Sequence, residues 1–163
     1  MMRFFGGIAA ALASLTGLPA ASADAQPSNG PSAELAQLLD LLGRGAILLL
    51  EKGEHVPVTA FVLTNAGKIE LIDHDQGFPH QEDALTATLG QLIPLARAKE
   101  ISASGIMFQP GDAGEEKPPV LIFDLEQVGQ PRFIITLTYT RTAGGVAFGP
   151  KTYNAQPGRL FEL

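Results

Sequence analysis

The chain has 163 residues, with 17 acidic against 11 basic side chains and a formal net charge of −6. Nucleic-acid binders need basic clusters and anionic lipid attracts polybasic segments, so neither partner is expected. Cysteine and Trp are absent and only two Tyr occur, which excludes disulfides, thiolate metal sites, a Cys nucleophile and an aromatic stacking platform.

Residues 1–25 have the layout of a secretory signal peptide. Arg3 supplies positive charge, Phe4 to Leu18 is an uncharged apolar run, and small residues follow Pro19. The run spans 15 residues, short of the roughly 20 that cross a bilayer. Ala21-Ser22-Ala23 and Ala23-Asp24-Ala25 both fit the small-x-small cleavage rule, and the second is preferred. A periplasmic or secreted protein is expected, with no membrane attachment after cleavage. Removing this segment takes away Arg3 and Asp24, so the mature charge stays at −6.

Residues 26–31 read as a flexible spacer, and 32–163 as a single domain large enough for one core. Ser32 is placed to cap a helix with Glu34 in its first turn. Leu35, Leu38, Leu39 and Leu42 follow at helical spacing. Gly43 and Gly45 weaken that helix, and Ala46 to Leu50 fits either its continuation or a buried strand. Val56 to Leu63 and Lys68 to Ile72 read as a hairpin around Asn65-Ala66-Gly67. Asp73 to His80 is a polar loop, and Pro79 with Glu82 and Asp83 opens a second helix. Pro94 inside that helix is expected to kink it.

The last third reads as strands. Ser102 to Gln109 precedes an acidic loop, Pro110 to Pro119. Val120 to Val128 and Arg132 to Thr140 flank the Gly129-Gln130-Pro131 turn. Leu121, Phe123 and Leu125 share a face, as do Phe133, Ile135, Leu137 and Tyr139, with Thr136, Thr138 and Thr140 on a solvated side. Gly144-Gly145 marks a hairpin into Val146 to Tyr153, which Gly149-Pro150 interrupts and whose Pro suits a sheet edge.

The order α-β-β-α-β-β-β-β predicts an α+β fold: an antiparallel sheet of about five to six strands with helices on one face. A cystatin-like architecture of the nuclear-transport-factor type is preferred to a profilin or roadblock type, whose order normally ends in a helix. Both are analogies of fold, silent on activity.

Candidate sites are few. Asp73, His74, Asp75 and His80 carry donor types suited to a divalent ion, without an established ligand spacing. His55 follows Glu51 and Glu54 and has the composition of an acid–base pair. Asp124 and Glu126 fall on one face of one strand. They suit either an acid and base in a pocket or carboxylates on a solvated face, paired by Lys or Arg of a neighbouring strand. No G-x-S-x-G elbow or phosphate loop occurs, and no cofactor is implied.

The pattern of Glu51-Lys52-Gly53-Glu54, Pro57, a Gly67 turn, a strand with Glu126, one ending at Tyr139, and Val146-Ala147-Phe148-Gly149 before Pro157 and Phe161 resembles a small bacterial family of single α+β domains with no assigned activity. That family has Pro-Phe where this chain has Pro57-Val58, and Pro-Tyr where it has Thr138-Tyr139. The resemblance implies one α+β domain and carries over no catalytic residue. The expected function is a secreted, non-enzymatic module that binds a small ligand or a protein partner. The alternatives are an enzyme using a His or carboxylate base and a divalent-metal carrier.

Overall fold

A computed structural model describes residues 30–72, 77–78, 80–110 and 119–161. Helix α1 runs over Ala33–Glu51 without a break, so Gly43 and Gly45 are carried inside it and Ala46 to Leu50 is helical. Its apolar stripe makes it so: Leu35, Leu38, Leu42, Ala46 and Leu50 recur at helical spacing and are all buried. Ser32 Oγ accepts the Leu35 N–H at 3.2 Å, the capping bond expected of it. At the other end Gly53 has φ +78°. The N–H of Gly53 donates to Leu50 and that of Glu54 to Leu49, a Schellman ending that requires a left-handed residue.

Strands β1 (Thr59–Thr64) and β2 (Ile69–Ile72) form the expected hairpin. Helix α2 (Gln81–Arg97) continues through Pro94 to its last turn, where the missing N–H costs a single intrahelical bond. Its Schellman ending places Lys99 at φ +55°, a position glycine usually fills. The Asn65 side-chain amide donates to the Lys99 carbonyl and ties that ending to the β1–β2 turn.

Strands β3 (Ile101–Phe108), β4 (Val120–Gln127), β5 (Arg132–Thr142) and β6 (Gly145–Gln156) complete one six-stranded sheet in the order β2-β1-β3-β4-β5-β6, every neighbour antiparallel. The α+β class and the order of elements are as the sequence predicts. β6 lies at an edge, as Pro150 suggests. Gly149-Pro150 sits at a register shift inside a continuous strand, not at a break. A Cβ on Gly149 would collide with the Thr138 hydroxyl, which explains glycine there.

The helices do not share a face. α1 packs with Ala103, Met107, Leu121, Phe123, Leu125, Phe133, Ile135, Leu137 and Tyr139. α2 packs through Leu92 and Ala96 with Ala60, Val62, Ile101 and Ile106, joined by Leu160. Strand registers put Ala60, Ile106 and Asp124 on one side of the sheet and Phe61, Gly105 and Leu125 on the other. The single-face expectation fails because β1 and β3 are apolar on both faces, so each face needs a cover. Gly105 makes room for α1: an added Cβ would meet Leu42 Cδ1 at 3.0 Å and Leu125 Cδ2 at 3.1 Å.

Candidate functional site

Asp124 and Glu126 point, as expected, to one face of β4. That face is not solvated: they are 5 % and 1 % exposed. Asp124 takes a bidentate grip from Arg132 on the adjacent strand, with Nε to Oδ1 at 2.7 Å and Nη2 to Oδ2 at 2.6 Å. Arg159, from the segment after β6, adds Nη2 to Oδ2 at 2.9 Å. Hydrogen bonding to Asp124 raises the Arg132 pKa above its ordinary value, against the opposing effect of burial. Glu126 Oε1 accepts the backbone N–H groups of Arg159, Leu160 (2.5 Å) and Phe161 (3.4 Å). Two carboxylates and two guanidiniums thus form a clasp that holds residues 159–161 across the sheet. Leu160, 2 % exposed, is inserted beside α2. Glu126 Oε2 is buried without a partner among the described residues.

His55 is exposed on the loop between α1 and β1. The Gln81 side-chain amide donates to His55 Nε2 and, at 3.2 Å, to the Val56 carbonyl. A neutral His55 ring in that bond carries its proton on Nδ1. His55 lines two cavities. The first, about 340 Å³, runs between Val58 of the loop, Leu71 and Ile72 of β2, Phe78, and Ala84 of α2. Leu71 is 52 % and Phe78 38 % exposed, two large apolar side chains beside one cavity. The second, about 490 Å³, is lined by Gln109, Pro119, Tyr139, Thr140 and Arg141. Burial raises the Tyr139 pKa above its ordinary value, and the Arg141 guanidinium partly opposes this. Arg141 Nη2 donates to the Glu54 carbonyl at 2.9 Å.

The expected metal ligands Asp73, His74 and Asp75, the signal segment and most of the acidic loop lie outside the described residues. His80 is exposed at the N-cap of α2 and makes no side-chain capping bond there. Among the described residues no three His, Asp or Glu gather as a metal site, and no helix is long and apolar enough to cross a membrane. The structure thus brings Asp124 and Glu126 together, whereas His55 has no carboxylate among its hydrogen-bond partners among the described residues. Sequence reasoning missed Arg159 and Phe78 as site residues. Phe78 alone carried a signal, a large aromatic inside a polar loop.

No family model, curated protein or solved structure matches this chain.

Proposed function

We propose that the protein is a secreted, periplasmic and non-enzymatic module that holds a small apolar or amphipathic ligand in the cavity beside His55. The exposure of Leu71 and Phe78 at the mouth of that cavity carries the proposal, because apolar surface left beside a concave site gains by burial under a ligand. The fate of the two buried carboxylates supports a non-enzymatic role. Both Asp124 oxygens are occupied by guanidinium donors, and Glu126 is turned to the backbone of residues 159–161. An acid–base pair needs a free oxygen on each member, and with both Asp124 oxygens taken only Glu126 Oε2 is left open.

Native mass spectrometry of the protein purified from the periplasm of its producing cells tests this. The expected species begins at Asp24 or Gln26 and carries a non-covalent small-molecule mass that the Leu71→Asp, Phe78→Asp double variant loses. An uncleaved chain, a metal mass, or a bare species that takes up no apolar probe would each overturn a stated part of the proposal.

A further inference from the structure

We infer that the ligand is an amphipathic monoanion, a carboxylate on a hydrocarbon chain, with its head group in the second cavity and its chain in the first. This rests on the proposed binding role and adds the chemistry of the ligand. His55 lines both cavities. The walls of the first include Val58, Leu71, Ile72 and Phe78. The other cavity is lined by side chains that can donate hydrogen bonds, Arg141, Tyr139, Gln109 and Thr140, beside Gly53 and Pro119. His55 thus stands at both an apolar wall and a donor-rich one.

The charge of the donor-rich half selects an anion. Arg141 is permanently cationic, and its bond to the Glu54 carbonyl uses one of five N–H donors. No carboxylate pairs with Arg141 among the described residues, whereas Arg44, Arg132 and Arg159 each have an acidic partner. The side chains of Glu51 and Glu54 are exposed and line neither cavity. The Tyr139 hydroxyl, with an ordinary pKa near 10 that burial raises, is neutral at physiological pH and can donate to an anion. Arg with a phenol suits a planar carboxylate, which accepts two parallel bonds.

Decanoate and decanol, titrated into the full mature protein by calorimetry and followed by amide chemical shifts, separate the two halves. Decanoate is expected to bind at least about tenfold more tightly than decanol, the scale of one charge-assisted contact. It should shift the amides of both Leu71 and Arg141. Arg141→Gln should remove that advantage and leave decanol binding unchanged, and Arg141→Lys should restore part of it. Leu71→Asp should weaken both probes. Equal binding of the two probes, or an Arg141→Gln variant that keeps the decanoate advantage, overturns the anion assignment and leaves the apolar site standing. Failure of both probes to bind overturns the binding role as well.

Discussion

Ser32 shows how much one hydroxyl does in this fold. Its oxygen accepts the Leu35 N–H, and its O–H donates to Gln127 at the end of β4, joining the start of α1 to the sheet. Glu34, beside it, is held below its ordinary pKa of 4.5, first by its own backbone N–H and then by Ser32. A depressed carboxylate contributes stability above its unfolded pKa and loses it as pH falls through the folded value, here below 4.5. Ser32→Ala is expected to cost about 1 kcal/mol in urea denaturation with an unchanged slope. It should also move the Glu34 titration, followed by NMR, back towards 4.5. An unmoved Glu34 would mean that Ser32 does not stabilise its charge. This cap was legible in the sequence because it is local. The burial of Asp124 was not, since the side chain that covers it, Arg159, lies 35 residues away.

Among the elements, the segment after β6 has the least regular structure and the most specific attachment. It has no ladder partner, so its backbone N–H groups must be satisfied otherwise, and Glu126 Oε1 takes three of them. Glu126→Ala removes that acceptor and leaves buried donors unpaired, at a cost of about 1–3 kcal/mol. Hydrogen exchange should then accelerate at Arg159, Leu160 and Phe161 before it does in β3 or β4. Glu126→Gln, which keeps an oxygen in place, should retain most of the protection. Equal protection in wild type and Glu126→Ala would show that Leu160 alone holds the segment. The strands and α1 were readable from periodicity. This segment was not, because its order comes from partners on β4 and α2 and not from any repeat of its own.

At the scale of the whole molecule, one sheet separates two apolar layers. Leu38 is buried in the layer under α1, and Leu92 in the layer under α2. Because β1 and β3 contribute side chains to both, the layers should melt together. Leu38→Ala and Leu92→Ala are each expected to lose about 2–5 kcal/mol. Each should keep a single transition in which far-ultraviolet circular dichroism and tyrosine fluorescence coincide. Separate transitions in either variant would show that the layers fold independently.

By itself the sequence determined the element order, the α+β class, the Ser32 cap, the edge position of β6 and the pairing of faces along β4 and β5. All of these follow from spacing and turn chemistry within a few residues. Only the tertiary structure decided three things: that the helices take opposite faces, that the Asp124 and Glu126 face is buried under Arg159 and Leu160, and that His55 lines both an apolar cavity and one lined by Arg141. Each depends on segments far apart in the chain meeting across the sheet. No local pattern encodes such meetings, because the burial they produce is a property of the packed layers.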